Sequence, residues 1–321
     1  MDVVVSGANG FIGQSICAAL LACGDQVTAV IRQPTARQAL PAGALPLLLQ
    51  EPANETLLRE HLPPAQCLVH AAGNASLRGA SRHDNNAQSE VKLARALART
   101  AAARGYRRFV FISSVAVLGT SDGGTPFTEA AAVAPGWPYA RVKFEAEQAV
   151  LEVGAASEME TVILRPPMVY GPGNRGNFPR LVRWVASGMP LPLKLAQNAR
   201  SYIYVGNLAD AAALCARHPG VANRLFLLAD ARDWSTLDLV RVIAREAQCP
   251  ARLWPAPLGL LRAMGQATGR SQEVGSLINS RRIDAALIHA ATGWVPPHEA
   301  GECLARTVRW CLENPVPGPT P

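Results

Sequence analysis

The stretch that most constrains this chain is Gly7-Ala8-Asn9-Gly10-Phe11-Ile12-Gly13, which follows the apolar run Val3-Val4-Val5 and precedes a segment, Gln14 to Cys23, with apolar residues at helical spacing. A strand, a glycine turn and a helix in that order build a site for a dinucleotide pyrophosphate. Glycines let the backbone turn tightly and approach the phosphates, while the N–H groups of the first helical turn and the helix dipole favour negative charge there. The spacing is G-x-x-G-x-x-G rather than the commonest G-x-G-x-x-G. Gly7, Gly10 and Gly13 are therefore the candidate glycines of that turn.

The rest of the composition narrows the class. At 321 residues the chain is long enough for a large core and two lobes, and 49% hydrophobic with 17% charged residues indicates a folded globular protein. No apolar run approaches the roughly 20 residues of a membrane span. With the first strand expected from residue 2, no signal peptide is expected ahead of it. The seven cysteines are scattered without a C-x-x-C pair, so they read as core residues in a reducing compartment, and a cytoplasmic location is expected. No metal-ligand cluster is expected. The net charge of +7 suggests an anionic partner. Its basic residues are spread out rather than interleaved with aromatics, which favours an anionic small molecule over nucleic acid. Only three of the 31 basic residues are lysines, Lys92, Lys143 and Lys194.

Along the chain, Gln26 to Ile31 alternates as a second strand and ends at Arg32. At that position in a dinucleotide fold an acid accepts the ribose 2′-hydroxyl and an arginine suits a 2′-phosphate, so Arg32 points to NADP(H); Arg37 is placed to share the role. Leu45 to Leu49 reads as a third strand and Glu55 to His61 as a helix. Cys67 to Gly73 reads as a fourth strand whose small residues Ala71, Ala72 and Gly73 would let a cofactor lie across its end. His70 reads as structural. A polar loop is expected between Gly73 and Asn85, then an amphipathic helix from Asn86 to Arg104. Arg108 to Ser114 is a fifth strand delivering two hydroxyls at its C-terminal end, where open α/β sheets bind ligands. A Gly/Thr/Pro-rich loop, Gly119 to Trp137, leads to Tyr139-Ala140-Arg141-Val142-Lys143 at the head of a helix reaching about Val153.

After a sixth strand at Thr161 to Arg165, Pro166-Pro167 and Gly171-Pro172-Gly173 make a stiff exit loop. Beyond it the alternation becomes irregular: helix over Phe178 to Ser187, extended chain over Tyr202 to Val205, helix over Leu208 to Ala216, strand over Leu225 to Leu228, helix over Trp234 to Gln248. Short elements follow, and then a proline-rich, frayed tail. The expected fold is α/β, a Rossmann-like doubly wound parallel sheet with a smaller C-terminal substrate lobe. Residues 1–170 with about 199–232 would bind the dinucleotide; about 171–198 and 233–321 would form the lobe.

Tyr139 and Lys143 stand four apart, on one face of a helix. An ammonium beside a phenol favours the phenolate, and the compact lysine charge suits this better than the wide guanidinium fork. That gives a reason for a lysine in a chain that otherwise prefers arginine. A lone Y-x-x-x-K carries little information; behind a glycine turn and a strand-end serine pair it carries much more.

Taken together, these residues resemble the extended short-chain dehydrogenase/reductase superfamily, in particular its NAD-dependent epimerase/dehydratase (nucleotide-sugar) branch. The resemblance covers nearly the whole chain: the opening glycines, His70-Ala71-Ala72-Gly73, Ser113 to Gly119, Tyr139 to Lys143, Arg165 to Gly173, and Arg200 to Ala211. It implies that Tyr139 is the acid/base on a substrate hydroxyl or ketone and that Ser114 hydrogen-bonds the same oxygen. Gly7, Gly10 and Gly13, with Phe11 and Ile12, would hold the pyrophosphate. Lys143 would bind the nicotinamide ribose, Asn86 would be a structural asparagine, and Asn177 and Arg200 would contact the sugar-nucleotide diphosphate. A homodimer through the two helices at 86–104 and 139–153 is likewise implied.

Departures refine the expectation. Related 4,6-dehydratases carry an Asp-Glu pair after the catalytic hydroxyl; here Val115-Ala116 stand there, which argues against dehydration. Many 4-epimerases carry an acid where Arg32 stands, and the acid that usually faces the adenine is replaced by Gln50, beside Glu51. Arg270, Arg281 and Arg282 are candidates for a second diphosphate arginine. Gly275-Ser276-Leu277, Asp284 and Thr292 to Pro297 resemble reductases of 4-keto-6-deoxy-hexosamine nucleotides. The expected activity is therefore NAD(P)-dependent reduction of a 4-keto nucleotide sugar. A 4-epimerase with tightly bound NAD, a reductase of a hydrophobic flavonoid- or steroid-type ketone, and a non-catalytic nicotinamide sensor are the alternatives.

Overall fold

The computed structural model describes residues 1–73 and 85–315, the side chains of residues 85–87 excepted. The loop expected between Gly73 and Asn85, the side chain of Asn86 and the tail beyond Pro315 lie outside the described residues.

Strands β1 (Asp2–Ser6), β2 (Gln26–Ile31), β3 (Leu45–Leu48), β4 (Cys67–His70), β5 (Arg108–Ile112), β6 (Glu160–Arg165) and β9 (Arg224–Leu227) form one parallel sheet in the order β3-β2-β1-β4-β5-β6-β9. The register runs Val4 beside Thr28 and Leu68, then Leu68 beside Phe109 and Phe109 beside Thr161. The central strands are continuously apolar because both faces of a parallel sheet are covered. On one face α1 (Phe11–Ala22) and α6 (Val205–Arg217) bury Ile16, Leu20, Leu208 and Ala212 against Val3, Val5 and Val69. On the other, α2 (Glu55–His61), α3 (Asn85–Ala103) and α4 (Pro138–Ala155) pack Leu58, Leu97 and Val150 against Val4, Leu68 and Phe109. The strand order reverses between β1 and β4. That crevice, at the C-terminal strand ends, is where a doubly wound sheet takes its ligand.

A second parallel pair, β7 (Met168–Tyr170) with β8 (Tyr202–Tyr204), leads to a second apolar cluster that includes Phe178, Val182, Leu239, Ile243, Leu304 and Val308. These come from α5 (Asn177–Ala186), α7 (Thr236–Glu246) and α11 (Ala300–Glu313). Buried Asp230, just past β9, joins the cluster to the sheet: it accepts from the Tyr170 hydroxyl at 2.7 Å, from Asn207 Nδ2 at 2.7 Å and from the Tyr204 N–H at 3.1 Å. Helices α8 (Leu258–Ala267), α9 (Ser271–Ile278) and α10 (Ala286–Thr292) fill out the C-terminal part.

Several expected boundaries move, each for a local reason. The first helix starts at Phe11 rather than Gln14, because Gly10 is its N-cap and the turn runs straight into it. The exit loop after β6 contains strand β7, whose partner β8 lies more than 30 residues on and leaves no local trace. Helix α6 starts at Val205, not Leu208, and Gly206 and Asn207 lie inside it. The C-terminal region holds four helices with apolar stripes rather than scattered short elements, among them the 14-residue α11.

Candidate active site

The glycine turn is shaped by close approach. Gly7 has φ +78°, and a Cβ there would lie 2.5 Å from the Ala72 nitrogen at the end of β4. A Cβ on Gly13 would lie 2.1 Å from the Gly7 carbonyl oxygen. The Gly10 N–H closes the turn on that same oxygen at 3.0 Å. Gly10 caps α1 without a side-chain oxygen, and the first turn carries no acidic residue. The opening N–H groups of α1 therefore face a concave, acid-free backbone surface, which fits a pyrophosphate.

Four strand ends meet around this turn. Ala71 donates its N–H to the Ser6 carbonyl at 2.9 Å, which sets β4's exit beside the glycines. Past β5, Ser113 is buried and donates to Glu147. Ser114 is half-buried; its Oγ accepts from the Ala116 N–H at 3.2 Å and caps the short 3-10 turn Val115–Leu118. Glu147, on α4 and fully buried, also accepts a bidentate pair from Arg165 at the end of β6, Nε at 2.9 Å and Nη2 at 2.6 Å. This network fixes α4 to the ends of β5 and β6. One turn earlier on α4, the buried Lys143 Nζ reaches the Ile112 carbonyl at 3.2 Å, the Ala72 carbonyl at 3.5 Å and the Glu90 carboxylate of α3 at 2.9 Å.

Burial pulls the Lys143 ammonium toward neutrality, but Glu90 first, then Tyr139 and Glu147, more than offset it and hold its pKa above that of an ordinary lysine. Tyr139, one turn further back, is half-buried, and among the described residues no hydrogen bond engages its hydroxyl. Behind the lysine, His70 stacks on Phe111 with ring centroids 5.5 Å apart, and among the described residues neither ring nitrogen has a hydrogen-bond partner. Burial, aided by Lys143 and opposed by Glu90, draws its pKa down to about 3, so it is neutral, in keeping with a structural reading.

The other sequence candidates divide. Val115 and Ala116, at the dehydratase acid/base positions, are both buried, Val115 in an apolar cluster with Leu227 and Ile283. Arg32 and Arg37 are exposed beyond β2, and among the described residues their side chains make no hydrogen bond or ion pair; Gln50 and Glu51 are exposed too. Asn177 opens α5, below a loop pinned by Asn174, which donates to the Val169 carbonyl at 2.8 Å and accepts from the Gly176 N–H at 2.6 Å. Arg200 is buried, not solvated at a strand end: its guanidinium donates to the Asn279 carbonyl at 3.2 Å, and its backbone pairs with Trp234 on one side and Arg281 on the other. Of the three further arginines, Arg281 thus lies beside Arg200. Arg282 is taken up by Asp122 at 2.8 Å, and Arg270 is an exposed cap of α9.

Sequence reasoning missed Glu90, Glu147 and Arg165. For Glu90 the signal was present: with Ala94, Leu97 and Ala101 it shares the helical face that α3 buries.

A pyrophosphate cradle at the switch point of a parallel sheet, with a serine just past β5 and, on α4, a tyrosine and a lysine that reaches the ends of β4 and β5, defines a dinucleotide-dependent α/β enzyme. Residues 3–229 match the NAD dependent epimerase/dehydratase family. A UDP-glucose 4-epimerase of Vibrio cholerae is 36% identical over 219 residues, 68% of this chain and 67% of that protein. The N-acetyl-alpha-D-glucosaminyl-diphospho-ditrans,octacis-undecaprenol 4-epimerase of Escherichia coli O157:H7 is 26% identical over 64% of this chain and 66% of that one. The matched stretch thus spans about two thirds of each of these relatives. Among solved structures, the UDP-glucose 4-epimerase of Thermotoga maritima with UDP-glucose superposes with a TM-score of 0.79 at 20% identity, over 98% of this chain and 99% of that one. The chain belongs to the NAD-dependent epimerase/dehydratase family of the extended short-chain dehydrogenase/reductase superfamily and is an enzyme of that type. Among the described residues no helix is long and apolar enough to cross a membrane.

Proposed function

We propose that this protein is an NAD(P)-dependent oxidoreductase acting at C4 of a nucleotide-diphosphate sugar, in the direction of 4-keto to 4-hydroxy. The observation that carries the reading is the Tyr139 hydroxyl, unengaged among the described residues, one helical turn from the charged Lys143, which itself reaches the end of β5. The nicotinamide supplies a hydride acceptor and donor when bound. Gly7, Gly10, Phe11, Ile12 and Gly13 would hold its pyrophosphate, and Ala71, Ala72 and Gly73 would let it lie across β4. Arg32 would bind a 2′-phosphate, which favours NADP(H). Tyr139 gives a proton to the ketone oxygen during reduction and takes it back in the reverse direction, and Ser114 orients that oxygen. Lys143 stabilises the phenolate so formed. Arg200 is the diphosphate arginine, with Arg281 its neighbour and Asn177 the third contact. Residues 1–170 with about 199–232 form the cofactor domain; about 171–198 and 233–321 form the substrate lobe. The buried Val115-Ala116 pair supports reduction over dehydration, since neither side chain can move a proton. We place the protein in the cytoplasm as a homodimer.

The second reading, 4-epimerisation with retained NAD, is favoured by the relative of that activity at 36% identity. Denaturing freshly purified protein and measuring the nicotinamide released separates the two. The reductase reading predicts an empty protein that then binds NADPH; stoichiometric NAD per chain overturns it in favour of the epimerase.

A further inference from the structure

Lys143 is nearly sealed from solvent, and its charge must be held by protein groups. The groups facing it can be named element by element. From α3 comes Glu90, at 2.9 Å and itself buried; from its own helix come Tyr139 and Glu147; from β4 comes neutral His70. The carbonyls of Ile112 and Ala72 and the face of Phe111, 5.1 Å from Nζ, complete the shell. Glu147 is already engaged by Arg165 and Ser113, so among the described residues only Glu90 offers Lys143 a carboxylate at ion-pair distance. A Cβ on Gly73 would lie 2.7 Å from Nζ and 3.4 Å from the Glu90 carboxylate, so the pair sits directly under the end of β4, where the cofactor is expected to cross.

We propose that Glu90 is a positioning residue for the Tyr139 chemistry: its carboxylate keeps Lys143 protonated and fixed between the ends of β4 and β5. The proposal rests on the reading of Tyr139 and Lys143 given above. Glu90 touches no reacting atom and acts only through the lysine. Without its carboxylate, burial is the largest influence left on Lys143, and the ammonium gives up its proton at a lower pH. The variant Glu90→Gln therefore loses turnover on the alkaline side first, while Glu90→Asp, which keeps the carboxylate, retains most of it.

The chain's three lysines make a direct test available. Protein carrying 13C-lysine gives three side-chain signals, and Lys92→Arg and Lys194→Arg, both at exposed positions, assign the third to Lys143. In the unmodified protein the Lys143 signal should stay that of an ammonium past the pH, about 10.4, at which exposed lysines titrate. In Glu90→Gln it should titrate about one pH unit or more below them. The alkaline limb of kcat/KM, measured for NADPH-dependent reduction of a 4-keto-6-deoxy-hexosamine nucleotide, should move the same way. A Lys143 signal unmoved by Glu90→Gln overturns the proposal, as does a moved signal with an unmoved rate profile. If Glu90→Gln does not fold, the unmodified protein decides: a Lys143 that titrates with the exposed lysines overturns the proposal. Absence of any NADPH-dependent reduction of a 4-keto-6-deoxy-hexosamine nucleotide by the unmodified protein counts against the reaction assigned above, and the NMR titration still decides the role of Glu90.

Discussion

Two buried ion pairs hang from α4 one turn apart, and they are built differently. Glu147 is clasped by Arg165 through two parallel hydrogen bonds and by Ser113 through a third, with no part of it exposed. Lys143 meets Glu90 through a single contact and spends its other protons on two carbonyls, one of them 3.5 Å away. The first pair locks the helix to β5 and β6. The second lies under the glycine-lined mouth beside an unengaged phenol. The contrast teaches that one helix serves both as anchor and as carrier of chemistry: the saturated pair fixes its orientation, so the less saturated one can act at a defined place.

Removing Arg165 should have the largest effect. Arg165→Met leaves the Glu147 charge buried without its partner, and the expected destabilisation is about 3–5 kcal/mol in a denaturant titration. A loss below about 1 kcal/mol would break the contrast. A third pair, closer to the surface, sharpens it. Asp122 accepts from Arg282 at 2.8 Å and from the Gly124 N–H at 2.9 Å, tying the loop before α4 to the segment after α9. Burial alone would raise the Asp122 carboxyl, but hydrogen bonds from Arg282 first, then from backbone N–H groups, hold it below the usual carboxylate range. A depressed carboxyl stabilises the fold fully above its unfolded value, near pH 4, and loses that contribution as pH falls through the folded one. Asp122→Asn should therefore cost about 1 kcal/mol at neutral pH, since Arg282 is partly exposed, and progressively less in acid. A cost that grew on acidification would contradict the sign.

How much of this was legible in the sequence follows from where each interaction is encoded. The glycine turn, the strand-end serines and the Tyr139/Lys143 spacing are local signals, and the structure brings Lys143 to the ends of β4 and β5, under Gly73. The doubly wound parallel sheet is legible in short apolar runs that alternate with helical stretches. Strand β7 was not legible, because three residues after a proline pair become a strand only through a partner far along the chain. Arg200 illustrates another limit. The family resemblance implies a diphosphate contact, whereas the burial of Arg200 and its link to Asn279 come from how the C-terminal segment folds back on it. Glu90 was within reach: an acid at the buried spacing of an amphipathic helix needs a cation, and the sequence holds only three lysines.

The central claim is that Tyr139 exchanges the proton with the sugar oxygen. The most direct test is NADPH-dependent reduction of a 4-keto-6-deoxy-hexosamine nucleotide by Tyr139→Phe. The account predicts a fall of about 100-fold or more with the fold and cofactor binding intact. Turnover close to that of the unmodified protein would contradict it and would send the search for the proton donor elsewhere in the site.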